Sequence, residues 1–193
     1  MSAKGRGDEG SGRLSREDWI DGAIIFLSRD RLEALTVNAL AERLGVTKGS
    51  FYWHFDSREG LLDAVVDTWR RRMTSEIEGF IRNSVGSPIG RLRRIVRIAM
   101  APRPDVPGGP LELLLRDLAR RDARVADVVR EVDARRLAFL HELYKEAGLD
   151  DEKAASYAFL HMSFVIGGRI LQSNDPKGEA ELGCKVGEEF LVP

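Results

Sequence analysis

The chain holds a single cysteine, Cys184. No internal disulfide can form, and such sparing use suits a reducing compartment, the cytoplasm. A lone cysteine in a C-terminal helical pattern reads as a small packing residue and not as a redox sensor. Histidine is scarce too: His54, His141 and His161 show no His-Glu-x-x-His spacing and no paired cysteine ligand, so neither a metal nor a cofactor is expected. A phosphate-cradling glycine loop and a serine nucleophile elbow are also missing, which removes common enzyme classes. Alternating β-branched runs bounded by turns are absent, so strands are not expected. No segment reads as long and apolar enough to span a membrane. Charge of one sign is lacking as well: the formal net charge is −1, which argues against a broadly basic nucleic-acid surface.

What remains is helix. A chain of 193 residues can bury a real core as one large domain or two small ones. Met1–Gly12 is rich in glycine, serine and charge, and reads as a disordered tail (residues 1–13) and not as a signal peptide. Leu14–Ser28 forms a first helix, capped by Ser15, with Trp19, Ile20, Ala23, Ile24 and Leu27 as its inward stripe. The segment Thr36–Phe55 is the most informative. Thr36 is a plausible N-cap, and Val37, Leu40, Ala41 and Leu44 give one apolar face. Gly45 ends that helix where only glycine enters the left-handed region without penalty. Thr47 caps a second short helix to about Trp53, with Phe51 inward and Lys48, Gly49, Ser50, Tyr52 and Trp53 outward, ending at His54. Small, polar and aromatic residues stand where a buried helix would carry leucines, as a helix entering a DNA groove requires. A glycine near the helix start lets a backbone approach another surface closely. Ser57 caps a fourth helix running to about Ile81, carrying Leu61, Leu62, Val65, Val66 and Trp69 at apolar spacing.

At Leu-Gly-Val-Thr-Lys-Gly-Ser-Phe-Tyr-Trp-His-Phe followed by Ser-Arg-Glu-Gly-Leu-Leu, the chain resembles the DNA-binding domain of the TetR family of transcriptional regulators. The resemblance covers roughly Ser15 to Trp69. It implies an all-α protein with an N-terminal three-helix helix-turn-helix DNA-binding domain (residues 14–60) and a C-terminal helical ligand-binding and dimerisation bundle (residues 61–193). It further implies that Asn38, Lys48, Gly49 and Ser50 contact bases, and that Thr36, Tyr52, Trp53, His54 and Arg58 hold phosphates. Thr47 stands in the same face as the cap of the reading helix. Asparagine can read adenine in a bidentate manner. The implied activity is repression by a homodimer on a double-stranded palindromic operator, relieved by a small-molecule effector. Activation by the same architecture, or a helical protein–protein adaptor, are the alternatives. An adaptor would leave the exposed Lys-Gly-Ser-Phe-Tyr-Trp-His series unexplained.

Residues 1–60 carry nine Lys/Arg against ten Asp/Glu, so a DNA-reading surface must act through local groups: Lys48, Arg58, and Arg13 and Arg16 near the start. Modest non-specific affinity and a shallow salt slope are expected. Farther on, Asn83–Pro88 is a break. Ile89–Ala101 is a helix with a solvated arginine face, and Pro102–Pro110 is a loop whose last proline opens a short helix to about Arg120. Arg116, Asp117, Arg120 and Arg121 read as surface charge. Asp122–Ala147 is a long helix stopped by Gly148. Asp150 caps another through about Leu171, Asn174-Asp175-Pro176 breaks the chain, and a weak final helix follows. The Asp150–Leu171 helix is apolar nearly all round and must be buried on two sides. Taken alone, it could be the central helix of a monomer or half of a subunit contact. The DNA motif favours a homodimer, with Phe164, Gly167, Gly168 and Leu171 as interface candidates. Trp69, Met73, Leu114, Tyr144, His161 and Met162 are candidate pocket residues, each of which also suits plain core packing. Helix four is the expected coupling element.

Overall fold

The computed structural model describes residues 14–100, 108–172 and 178–193. The expected N-terminal tail and Arg13, most of the Pro102–Pro110 loop and the Asn174-Asp175-Pro176 break lie outside them. The described residues are helical throughout, with no strand among them. In chain order they form α1 (Arg16–Leu27), a 3-10 turn (Leu32–Ala34), α2 (Val37–Arg43), α3 (Lys48–Phe51) and α4 (Arg58–Arg71). A π-helical segment (Arg72–Glu76) leads into α5 (Ile77–Arg82), α6 (Pro88–Met100), α7 (Gly108–Leu118), α8 (Ala123–Glu146), α9 (Asp151–Gln172) and α10 (Gly178–Phe190).

Local chemistry sets most of the boundaries. Ser15 accepts the Asp18 amide at 3.1 Å while the Asp18 carboxylate takes the Ser15 amide at 2.7 Å, a reciprocal capping box. The hydroxyls of Thr36 and Ser57 each accept an amide three residues on, at 3.1 Å. Asp122 accepts the Arg124 amide and Asp150 the Lys153 amide, both at 2.9 Å. Two helices end in the same glycine device. At Gly45 (φ 69°) the Val46 amide reaches back to the Ala41 carbonyl and the Gly45 amide to Glu42. At Gly148 (φ 98°) the Leu149 amide binds Tyr144 and the Gly148 amide Lys145.

The expected long fourth helix is continuous from Arg58 to Arg82 but widens into a π turn over Arg72–Glu76. Side chains serve carbonyls there: Thr74 Oγ1 donates to the Arg70 carbonyl at 2.7 Å, and Arg136 Nε to the Met73 carbonyl at 3.3 Å. Such turns recur at functional sites. α7 starts two residues earlier than expected, with Pro110 inside its first turn, where a missing amide costs nothing.

The core does not break between the two expected units. Trp19, Leu40, Phe51, Leu61, Val65 and Trp69 of the N-terminal helices form one buried cluster with Leu111 and Leu115 of α7 and Val125, Val129 and Val132 of α8. Ile81, Leu92, Phe139, Leu140, Tyr144, Ala158 and Met162 build a second cluster toward the far end, and Val96, Met100, Val165 and Leu191 a third. By length and composition α9 is apolar enough to cross a membrane, contrary to the sequence expectation. In the fold, Ala154, Ala158, His161, Met162 and Val165 bury one edge of it in the bundle.

Candidate nucleic-acid interface and effector cavity

Phe51 anchors the reading element. Its side chain is fully buried; Trp19 meets it edge-on at 5.3 Å, and Phe55 stacks at 5.4 Å. Buried aromatic contacts of this kind are worth about 0.5–1.5 kcal/mol each beyond area burial. The single turn of α3 is thereby clamped on α1, and Lys48 and Gly49 are turned outward. Lys48, Gly49 and Thr47 are exposed; Tyr52 is 52% and Trp53 74% accessible. Asn38 and the capping Thr36 are exposed on the first turn of α2 beside them. A Cβ on Gly49 would meet only the Thr47 hydroxyl, at 3.8 Å. Nothing among the described residues requires glycine there, and the bare backbone is available to an outside surface.

Four expectations change. α3 ends at Phe51, with Tyr52 to His54 in turns, so the reading helix is shorter than its sequence suggested. Thr47 occupies the N-cap position by backbone geometry, but its side chain makes no cap bond. Ser50 and His54 are half-buried, and neither the Ser50 hydroxyl nor His54 Nε2 meets a protein partner. Arg58 is engaged internally: Nε donates to the Leu35 carbonyl at 2.5 Å and Nη2 to Leu32 at 2.7 Å. Its guanidinium ties the start of α4 to the turn before Thr36, which makes it a positioning residue. Arg16, expected to supply charge, stays exposed with its guanidinium over the Phe55 ring at 4.8 Å.

A cavity of about 670 Å³ opens behind this unit. Asp21, Ile24 and Ile25 of α1 form one wall and the π turn, through Arg72, Met73 and Glu76, another. Ile77 and Phe80, Ile95 and Ile98, Arg136, Phe139 and Leu140, and His161, Met162, Val165 and Arg169 complete it. Of the pocket candidates, Met73, His161 and Met162 line the cavity. Trp69 does not: it is 1% exposed in the first core cluster, with Arg136 over its ring at 5.9 Å. Leu114 packs on that same cluster. Tyr144 lies one layer back, its hydroxyl 2.7 Å from the Leu191 carbonyl and 3.0 Å from His161 Nδ1. Burial raises the Tyr144 phenol and lowers His161 to about 4, so both are neutral near pH 7.

A polar cluster closes one end of the cavity. Glu112 is 1% exposed and receives Arg116 and Arg136, each at 2.8 Å, together with Arg169. Arg116 also binds Asp133 through two nitrogens, at 2.9 and 2.6 Å, so it is not the surface charge expected. Asp117, Arg120 and Arg121 are exposed as expected. A sequence signal for this cluster existed: Glu112 interrupts a leucine run, and Arg169 is the one Asp, Glu, Lys or Arg between Ala154 and Leu171.

The α9 candidates divide. A Cβ on Gly168 would come within 3.0 Å of Met100 Sδ, and Phe164 packs against the Gly187 backbone of α10, so both face the chain's own bundle. Gly167 has open space beside it. Leu171 is 62% accessible, in one stripe with Phe159 and Leu160.

The sequence profile for bacterial regulatory proteins of the tetR family matches residues 20–65, the stretch that carries the clamped turn. Over this stretch the chain is similar to the DNA-binding part of TetR-family regulators. It is 42% identical over 89 residues to an uncharacterized HTH-type transcriptional regulator of Mycobacterium tuberculosis, covering 46% of this chain and 38% of that protein. It is 31% identical over 104 residues to the class D tetracycline repressor protein of Escherichia coli, covering 48% of each. The chain thus spans less than half the length of these curated relatives. A TetR transcriptional regulator from Legionella pneumophila superposes with a TM-score of 0.74 over 93% of this chain and 98% of that one, at 15% identity. The whole TetR-like fold is therefore shared, bundle included, although sequence likeness is concentrated at the N-terminus.

Proposed function

We propose that this chain is a sequence-specific transcriptional regulator of the TetR family, a repressor that acts as a homodimer on an inverted-repeat operator and is released by a small molecule. The observation that carries the reading is the Phe51-clamped turn with Lys48, Gly49, Tyr52 and Trp53 exposed on one face. Lys48 and Tyr52 suit phosphate oxygens, the bare backbone at Gly49 permits close groove approach, and Asn38 offers an amide to a base edge. The Ser50 hydroxyl and His54 Nε2 are buried behind this face, so these two residues meet DNA only where binding uncovers them. Arg58 contributes by holding the segment before Thr36 in place.

One short helix reads too few bases, so two copies are needed. The exposed apolar stripe Phe159, Leu160 and Leu171 on α9, with Leu182 and Phe190 on α10, supplies a surface for a second copy. Gly167, which faces open space, would let backbones approach there. Effector coupling has a physical route as well. The cavity touches α1 and the π turn at once, and Arg72 bridges to Asp21 at 2.6 Å. A ligand between these walls changes the seating of the DNA-binding unit on the bundle, shifting the population of DNA-competent dimers. A relative is a tetracycline repressor by name, which supports small-molecule control without identifying the effector here. Sequencing the genomic fragments retained by the purified protein tests the proposal. A shared inverted repeat is expected, and retention without any common sequence contradicts it.

A further inference from the structure

The polar groups of the cavity are few and differ in kind at its two ends. Arg72 is matched by Asp21 at 2.6 Å, and Glu76 by Arg71 at 2.7 Å. The remaining cluster sets three guanidiniums, Arg116, Arg136 and Arg169, against two carboxylates, Glu112 and Asp133. Among the described residues one positive charge is left over. Arg136 and Arg169 line the cavity with side chains only 13% exposed. Burial lowers each to about 10, so both stay charged near neutrality. An unmatched buried cation is costly, and an entering anion relieves it. Arg169 bonds Glu112 through Nη1, and a guanidinium fork offers paired donors to a carboxylate.

The other end presents an acceptor. The Tyr144 hydroxyl has one hydrogen and donates it to the Leu191 carbonyl. His161 Nδ1, 3.0 Å from the same oxygen, must then be the donor of that pair. The neutral ring is fixed with a bare lone pair on Nε2, which is fully buried without a protein partner. A buried acceptor calls for a donor. His161 and Arg169 stand eight residues apart on α9, about 12 Å along the axis at 1.5 Å per residue. Met162 and Val165 line the wall between them, facing Ile98, Phe139 and Leu140.

We infer that the effector is an elongated apolar carboxylate bearing a hydrogen-bond donor at its far end. The carboxylate meets Arg169 and Arg136, the body lies along Met162 and Val165, and the donor caps His161 Nε2. The inference rests on the reading of this cavity as the effector site. Calorimetry on the full chain with decanoate, 10-hydroxydecanoate and 1,10-decanediol tests it. The hydroxy acid is expected to bind about tenfold more tightly than either decanoate or the diol, one hydrogen bond or one charge pair being removed in each comparison. Arg169→Gln is expected to weaken both acids about tenfold and leave diol binding unchanged, with Arg169→Lys retaining part of the acids' affinity. Thermal melts of both variants establish that they fold.

A diol that binds as tightly as the hydroxy acid overturns the anionic end, as do acids indifferent to both Arg169 variants. Decanoate equal to the hydroxy acid overturns the role of His161. The two readings fail separately. Binding as expected with no change in affinity for the retained DNA fragments upholds the ligand class and removes the effector role. Neutral compounds that release DNA while acids do not bind remove the ligand class alone.

Discussion

Arg58 separates a phosphate hook from an internal strut. Its Nε and Nη2 donate to the Leu35 and Leu32 carbonyls at 2.5 and 2.7 Å, across 23 and 26 residues of chain. Bonds from a charged donor contribute about 1.5–3 kcal/mol each. The Arg58 side chain is 30% exposed, so water replaces part of what is lost, and the pair together is worth about 2–3 kcal/mol. For a chain of this size, Arg58→Ala should lower the melting temperature by about 5–10 °C. Affinity for retained DNA should fall because the turn before Thr36 loosens. The salt dependence of binding should keep its slope, since no phosphate contact is removed. Circular dichroism melts with fluorescence anisotropy across a potassium chloride series read both quantities. A melting temperature within about 1 °C of the parent, together with a slope reduced by about 1.8, the value of one phosphate in each half of the dimer, would refute the reasoning and restore the phosphate role that family resemblance implies.

Three further outcomes follow from the bundle. His161 has its folded value lowered to about 4 from an ordinary 6.5. Its neutral form therefore favours folding fully above pH 6.5, and that contribution is lost as pH falls toward 4. By pH 5 the loss is about 2 kcal/mol, so urea midpoints of the parent should fall more than those of His161→Gln between pH 7.5 and 5, and parallel curves would argue against a buried neutral ring. Phe159→Glu with Leu171→Glu should convert the proposed dimer to a folded monomer in light scattering at micromolar concentration, whereas an unchanged dimer mass would place the subunit contact elsewhere. Gly187→Ala would set a Cβ 2.6 Å from Val96 Cγ1 and 2.9 Å from Phe164 Cε1. The resulting overpacking should cost about 1–3 kcal/mol in urea denaturation, and an unaltered midpoint would contradict the seating of α10 on α6 and α9.

Features with local causes are legible in the sequence. Ser15, Thr36, Ser57, Asp122 and Asp150 cap helices at the expected positions, and Gly45 and Gly148 end them, because caps and left-handed turns are decided within a few residues. The stripe Trp19, Ile20, Ala23, Ile24 and Leu27 is readable for the same reason. Features that are long-range or lack a local marker are not. The π turn falls on Arg-Met-Thr-Ser-Glu, which contains neither proline nor glycine. Arg58 resembles a phosphate ligand until the Leu32 and Leu35 carbonyls are placed beside it. The Glu112 cluster joins α7, α8 and α9; the i,i+4 pair Glu112 and Arg116 and the lone Arg169 mark members of it, but nothing local says that they meet. On α9, periodicity alone does not say which apolar side is covered; α6 and α10 take Gly168 and Phe164, and the Phe159, Leu160 and Leu171 stripe is left outside.

The central claim is that the Phe51-clamped turn reads DNA. Anisotropy titration of Lys48→Ala with Tyr52→Ala against a retained genomic fragment tests it most directly. Both side chains are exposed, and Tyr52 gives up only an edge contact with Phe51 at 5.3 Å, so the melting temperature should fall by no more than about 5 °C and the dimer mass should match the parent, while affinity falls at least a hundredfold, two contacts of about 1.4 kcal/mol in each half of the dimer being more than sufficient. Parental affinity in the folded double variant would contradict the account.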